Sequence, residues 1–350
     1  MPQTHPVSKR LISWYKKNKR DLPWRETSDP YRIWLSEIIL QQTQVIQGLS
    51  YYERFIAHFP TVKDLAHAPE DKVMKLWQGL GYYSRARNLH ATAKKIDSAF
   101  HGKFPDNFES IKDLKGIGDY TAAAIASFAF DLPYAVVDGN VSRVLSRLFD
   151  IDTPVNSSRG KKEFQLLADE LLNHAHPAQH NSAMMEFGAL LCRPQNPKCE
   201  TCPVQEFCLA YQHKTIALRP VKEKKITIKN RYFHYFLFNY EDWIYIQKRT
   251  EKDIWQNLYE FFKIETEGMK EPAEILKHPS LIALDTGFNI KKITISKKHI
   301  LSHQHIFASF YEMEITKPMN TKMTRIKRNQ LETIAFPQLI IKYLKSLSYY

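Results

Sequence analysis

The apolar pattern of the chain changes period once, and that change divides it. Up to about residue 210, apolar residues recur at helical spacing with short loops between them. The spacing predicts helices over Ile33–Leu40, Val45–His58, Pro69–Trp77, Ser84–Phe100, Asp119–Phe130, Val141–Phe149, Arg159–Asn173 and Asn181–Leu191. Asp29-Pro30 caps and starts the first of them. Residues 214–230 are Lys-rich and show no helical apolar face, so they read as a linker. Beyond them, Tyr232–Phe238, Trp243–Arg249, Ile293–Ser296 and Phe307–Ile315 are β-branched and aromatic runs. Helical patterns return near Pro272–Lys277 and Phe336–Leu347. The expectation is a mainly α domain over 1–213, a linker over 214–230 and an α+β domain over 231–350.

Charge narrows the partner. Lys and Arg number 50 against 37 Asp and Glu, a net charge of +13. Such an excess suits a polyanion, most simply nucleic acid. Residues 1–20 carry Lys9, Arg10, Lys16, Lys17, Lys19 and Arg20 with no acidic residue, beside Trp14 and Tyr15. Aromatic rings among cations suit phosphates and bases. No apolar run is long enough to span a membrane. The opening residues do not read as a signal peptide, so a reducing, cytoplasmic setting is expected.

The four cysteines, Cys192, Cys199, Cys202 and Cys208, follow a C-x6-C-x2-C-x5-C pattern. Disulfides do not suit a reducing compartment. Four thiolates can hold tetrahedral zinc or an iron–sulfur cluster. Zinc sites usually come as two short knuckles well apart. Here one short pair is flanked by longer arms, which favours a [4Fe–4S] cluster.

Between two helical patterns lies Leu114-Lys-Gly116-Ile-Gly118-Asp-Tyr120-Thr-Ala. Gly116 and Gly118 permit a tight turn with exposed N–H groups, and the helix that follows can offer its N-terminus to an anion. In a basic chain the obvious anion is a DNA phosphate. This is the helix–hairpin–helix pattern.

Five further segments sharpen the reading: Leu22-Pro-Trp24-Arg25, Ser36-Glu37-Ile-Ile-Leu-Gln-Gln42-Thr-Gln-Val45, Trp77-Gln-Gly-Leu80-Gly-Tyr82-Tyr-Ser-Arg85, Val137-Asp138-Gly-Asn-Val141 and Met184-Met-Glu186-Phe-Gly188. With the hairpin and the cysteines in this order, residues 20–210 resemble the endonuclease III superfamily, and more closely its adenine DNA glycosylase (MutY) family. The resemblance implies a six-helix barrel bearing the hairpin and a helical lobe bearing the cluster. It implies a monomer acting on double-stranded DNA with adenine mispaired with 8-oxoguanine or guanine.

Breaking a purine glycosidic bond needs a proton for the leaving base and a negative charge for the developing sugar cation. Two carboxylates with different jobs meet that need. Glu37 lies in a largely apolar helix, where burial would keep it protonated. The resemblance makes it the acid that protonates adenine N7 and later activates water. It makes Asp138 the charge beside the oxocarbenium ion. Tyr120 stands where bifunctional relatives carry a Schiff-base lysine, so strand cleavage should be weak or absent. Lys115 lies across the turn and is not that lysine. Adenine must leave the stack to be reached. By resemblance Arg20, Arg25 and Glu186 hold it and Trp24 lines the wall, while Gln42, Leu80 and Tyr82 enter the helix on the 8-oxoguanine side.

The C-terminal part is similar to the Nudix-like lesion reader of the same family. The segment Trp255-Gln-Asn-Leu258-Tyr259-Glu260-Phe261 matches its Trp-x-x-Leu-Trp-Glu-Phe run. Ser302 and His303 follow Leu301 where the family has Phe-Ser-His, the loop that contacts 8-oxoguanine. No intact Nudix metal-binding box is present, so triphosphate hydrolysis is not expected. The rival readings are a bifunctional pyrimidine-specific enzyme and a cluster-bearing DNA-binding protein without catalysis. Tyr120 argues against the first, and the retained pair Glu37 and Asp138 against the second.

Overall fold

The computed structural model describes residues 5–223, 227–295 and 298–349. The expected strand end at Ser296 and part of the expected linker, 224–226, lie outside them. Helices in chain order are α1 (Pro6–Asn18), α2 (Pro30–Leu40), α3 (Val45–His58), α4 (Val62–His67), α5 (Glu70–Trp77), α6 (Ser84–Phe100), α7 (Phe108–Lys112), α8 (Asp119–Phe130), α9 (Gly139–Leu148), α10 (Ser158–Leu171), α11 (Pro177–Leu190) and α12 (Leu209–Gln212). Chain contacts group them into two compact units. One comprises 1–67 and 88–224, the other 68–87 and 225–350. The expected boundary at 213 is therefore corrected twice. Residues 68–87, with α5, side with the C-terminal part. Residues 214–223 are not a free linker but are tied to the helical unit. The Thr215 hydroxyl donates to Asp150 at 2.6 Å, Val155 N–H donates to the Val221 carbonyl at 3.0 Å, and Arg219 pairs with Asp150 at 2.9 Å.

In the helical unit, α2 is buried almost all round, from Tyr31 to Ile39, because it packs against both α3 and α8. Asp29 caps it by accepting from the Tyr31 N–H at 2.9 Å. Helix α8 is nearly as enclosed. Its run Ala122–Ala126 lets neighbouring backbones come close, and Ile125 fills the core. A second core gathers Leu11, Leu145, Phe164, Ala183 and Phe187 from α1, α9, α10 and α11, with Cys192, Cys202 and Cys208 packed against its edge.

The other unit is built on a mixed sheet. Its strands are β1 (Lys229–Tyr240), β2 (Trp243–Lys248), β3 (Tyr259–Glu260), β4 (Phe262–Thr266), β5 (Phe288–Ile295), β6 (His299–Ile300), β7 (Gln304–Ile315) and β8 (Thr324–Lys327). The sheet runs β3-β2-β1-β7-β5, and β1 and β7 pair in parallel with Tyr235 opposite Phe310. These two strands are covered on both faces, which explains their near-continuous apolar run. On one face Phe310 stacks on Tyr343 of a late helix, α15 (Gln338–Ser346), at 4.0 Å. On the other, Phe236, Phe238 and Met313 pack under Ile275 and Leu281, from the single-turn helices α13 (Pro272–Ile275) and α14 (Pro279–Ile282). Strands β4 and β8 fall in runs too short and too polar for the alternation to reveal.

Because the cap at Asp29 sets where α2 starts, Asp29→Ala should lower the stability of the helical unit by about 1 kcal/mol. Denaturant unfolding followed by helical circular dichroism measures it.

Candidate active site and cluster-binding loop

Glu37 is the eighth residue of the buried helix α2 and is itself only 7% exposed. Burial pushes its carboxyl up from the ordinary glutamate range. A hydrogen bond from the Tyr120 phenol and the charge of Arg25 pull it partly back. The phenol, on the first turn of α8, donates to Glu37 Oε2 at 2.7 Å. Burial and the neighbouring Glu37 push the phenol well above its usual range, so it remains a donor. Oε2 of Glu37 is thus committed to the Tyr120 phenol.

Asp138 precedes α9 and caps it. Its Oδ1 accepts from the N–H groups of Asn140 and Val141 at 2.8 and 2.7 Å, and its Oδ2 accepts from Asn140 Nδ2 at 2.7 Å. Burial pushes this carboxyl up, while those hydrogen bonds oppose the rise. Every contact uses Asp138 as an acceptor, the role of the ionised group, at a helix N-terminus that favours negative charge. The field of Asp138 also reaches Glu37 and helps hold the latter neutral.

Arg20, Arg25 and Glu186 lie together in the helical unit. Arg20 forms a fork on Glu186, Nε to Oε1 at 2.6 Å and Nη2 to Oε2 at 2.9 Å, and Arg25 lies 3.8 Å from the same carboxylate. Burial alone would push Glu186 up, but the Arg20 hydrogen bonds and the charge of Arg25 hold it below the usual range. Arg25 also reaches the Tyr15 hydroxyl of α1 at 3.1 Å. Trp24 is buried and packs edge-on to Tyr52 at 5.2 Å.

The hairpin has the expected form. Gly116 takes φ +81°, and a Cβ there would fall 2.7 Å from Asn88 Cβ, so both the backbone and the packing demand glycine. Gly118 is the N-cap of α8 and offers no side-chain acceptor, so the first N–H groups of that helix are left for a ligand. Asp119 would repel an anion there, but Lys112 pairs with it at 2.6 Å.

The remaining predicted residues lie elsewhere. Gln42 is exposed with φ +55° at the turn after α2. Leu80 is buried rather than projecting, whereas Tyr82, at φ +46°, is exposed. In the sheet-bearing unit the hydroxyls of Tyr82 and Ser302 lie 2.5 Å apart. They border a cavity of about 490 Å³ whose walls also include Arg87, Trp255 and His303.

Sequence reasoning missed two arginines. Arg143 and Arg147 lie one turn apart on α9 and are buried. Arg143 donates to Asn140 Oδ1 at 2.9 Å, the Gly188 carbonyl at 2.7 Å and the Cys192 carbonyl at 2.8 Å. A hydrogen-bonded chain therefore runs from Asp138 through Asn140 and Arg143 to the first cysteine. Arg147 approaches Cys192 Sγ at 3.5 Å and donates to the carbonyls of Arg193 and Pro194 at 2.7 and 3.0 Å. Two buried arginines at i and i+4 facing a cysteine loop were the available signal.

The four thiols fit an iron–sulfur cluster. All are free and half-buried within 17 residues of loop. The donors are all sulfur, and Arg147 stands ready to offset thiolate charge. Burial pushes the Cys202 thiol up to about 12, so cluster ligation must displace its proton.

Glu37 gives a stability prediction. Its pKa is raised on folding, so its contribution to stability is present below the unfolded pKa and is lost as pH rises through the folded one. Glu37→Gln removes that loss. Thermal unfolding should show the variant gaining on the wild type as pH rises above the ordinary glutamate range towards the raised Glu37 pKa. A constant difference across that range would show that Glu37 is not held in its neutral form.

Three family comparisons bear on this geometry. Residues 35–170 match the HhH-GPD superfamily of base excision DNA repair proteins, 192–208 the iron–sulfur binding domain of endonuclease III, and 234–346 the NUDIX domain. A thermostable thymine-DNA glycosylase structure is similar over 59% of this chain and 95% of its own, with 31% identity and TM-score 0.55. An endonuclease III–DNA complex, at 21% identity and TM-score 0.51, shares the fold of the helical unit. The adenine DNA glycosylase of Buchnera aphidicola from Schizaphis graminum is 36% identical over 87% of this chain and 84% of its own. That from Baizongia pistaciae is 34% identical over 346 residues, 96% of this chain and 95% of its own. The chain is a DNA glycosylase with an iron–sulfur-binding loop, and it belongs to the adenine DNA glycosylase family.

Proposed function

We propose that the chain excises adenine mispaired with 8-oxoguanine, and less readily with guanine, as a monofunctional glycosylase. The observation that carries this reading is the division of labour between two buried carboxyls, one pushed towards its neutral form by burial while it accepts from Tyr120, one held as an acceptor at the N-terminus of α9.

Adenine turned out of the stack is received beside Arg20, Arg25, Glu186 and Trp24. The proton on Glu37 passes to N7, the glycosidic electron pair leaves with the base, and the sugar becomes an oxocarbenium ion. The Asp138 carboxylate stabilises that cation by field, or by a transient bond to the anomeric carbon. Glu37, now a carboxylate accepting from Tyr120, takes a proton from water as the oxygen adds to the sugar. One water is consumed, and adenine and an abasic site result. Tyr120 cannot form a Schiff base, so the strand stays intact. Cys192, Cys199, Cys202 and Cys208 would hold the cluster, which would cross-link loop 192–208, and Arg143 and Arg147 already tie that loop to α9. In the other unit, Ser302, His303 and Tyr82 read the base opposite, and 8-oxoguanine offers them an O8 and an N7–H that guanine lacks. The absence of any described helix long and apolar enough to cross a membrane accords with a DNA-bound role.

Glu37→Gln should abolish adenine release while duplex binding is nearly retained, read by single-turnover cleavage after alkali and by a binding assay. Near wild-type cleavage would remove Glu37 as the acid. Activity needs Glu37 protonated, so it should fall as pH rises through the elevated Glu37 pKa. The Tyr120 hydrogen bond favours the charged form, so Tyr120→Phe should move this alkaline limb to higher pH. Ser302→Ala combined with His303→Ala should lower the preference for 8-oxoguanine over guanine by ~1–3 kcal/mol of discrimination. An unchanged ratio of single-turnover rates on the two mispairs would transfer the reading role to Gln42.

A further inference from the structure

Beneath the cavity bordered by Tyr82 and Ser302, one guanidinium ties its walls together. Arg231 on β1 is 8% exposed and uses all five of its N–H donors. Nη1 and Nη2 bind the two oxygens of Asp253 at 2.9 and 2.8 Å, Nε and Nη2 bind the two oxygens of Glu265 at 2.7 and 2.7 Å, and Nη1 reaches Gln304 Oε1 at 3.2 Å.

Asp253 and Gln304 both line the cavity, from two different segments of the chain. Asp253 anchors the loop 250–257, which Arg249 grips a second time through Asp253 Oδ2 at 3.0 Å and the Ile254 carbonyl at 3.1 Å. The grip is needed because Trp255 and Asn257 both take positive φ, +61° and +67°, where non-glycine residues are strained. Gln304 ends the loop carrying Ser302 and His303, and its carbonyl closes that loop on the Leu301 N–H at 2.8 Å. A single planar, rigid group therefore sets the spacing between the Trp255 wall and the Ser302-His303 wall. Lysine could keep the charge but could not reach both walls at once.

We propose that Arg231 is a positioning residue for lesion discrimination: by clamping Asp253 and Gln304 it fixes the gap into which the base opposite adenine fits, without touching that base. The inference rests on the reading of this cavity as the 8-oxoguanine reader. Two bases that differ by one acceptor and one N–H are told apart by hydrogen bonds, which weaken steeply with small displacements. A looser gap would therefore cost discrimination before it costs chemistry.

The test measures single-turnover adenine release from 8-oxoguanine and guanine mispairs at equal salt, for Arg231→Lys, Gln304→Ala and the Ser302→Ala/His303→Ala pair. Gln304→Ala guards against misfolding, since it cuts one tie and leaves the buried ion pairs intact. Both Arg231→Lys and Gln304→Ala should lower the ratio of the two rates by about 3- to 10-fold. Equal loss on both mispairs, or an unchanged ratio in both variants, would assign Arg231 a structural role only and overturn the proposal. If the Ser302/His303 pair lowers the ratio in that same experiment, the reader assignment survives and only the clamp fails. If that pair leaves it unchanged, both fall.

Discussion

The hydrogen bond from Tyr120 to Glu37 is the contact on which the helical unit turns. A carboxyl inside a helix pair has little water, and desolvation raises the free energy of its charged form. Such a group survives only if it stays neutral or finds a donor. Tyr120 supplies the donor without supplying a charge, so Glu37 can hold a proton, release it, and remain partnered in both states. A lysine at the same place would form an ion pair and keep Glu37 ionised. In the proposed mechanism the phenol thus leaves Glu37 able to act as the acid, and it excludes amine chemistry at that position.

Asp138 shows the opposite solution to the same problem. It is also buried, yet it receives two backbone N–H groups, an amide and a helix N-terminus, all of which favour its charge. Two buried carboxyls that feel each other's charge are separated in behaviour by what donates to them. The placing of Asp138 depends on α9, and α9 in turn is held by Arg143 and Arg147 against the cysteine loop. Gly188 of α11 lies so close to Asn140 that a Cβ there would fall 2.7 Å from Asn140 Cβ. The cap, the arginines and the cysteine loop therefore act on one short stretch of backbone.

Much of this was legible in the sequence because it is local. Asp29-Pro30, Gly116 with Gly118 and the cysteine spacing each specify a turn, a cap or a loop within a few residues. The partnership of Arg20 and Arg25 with Glu186 spans most of the helical unit and was readable only through family resemblance. Three things were not legible. The grouping of residues 68–87 with the C-terminal unit depends on tertiary contacts such as Lys248 with Asp71 at 2.6 Å, which no periodicity announces. The pinning of 214–223 depends on Asp150, an acid that reads as an ordinary helix terminus. The clamp at Arg231 joins residues from β1, β4, a strained loop and the start of β7, and a lone arginine in an aromatic strand carries no mark of that duty.

Helix α8 has a consequence for how the enzyme would count along a duplex. Its open N-terminus at Gly118 and its Tyr120 side chain are two residues apart on one rigid rod, a rise of ~3 Å. A phosphate seated at the hairpin is then held at a fixed offset from the acid that Tyr120 touches. Successive phosphates on one strand are spaced by about 3.4 Å along the axis. A slip of one nucleotide would move the sugar by more than any hydrogen bond tolerates. With a phosphate at the hairpin and Glu37 as the proposed acid, the helix would serve as a ruler: the grip on the backbone would decide which nucleotide can be presented to Glu37 at all, before any base is inspected.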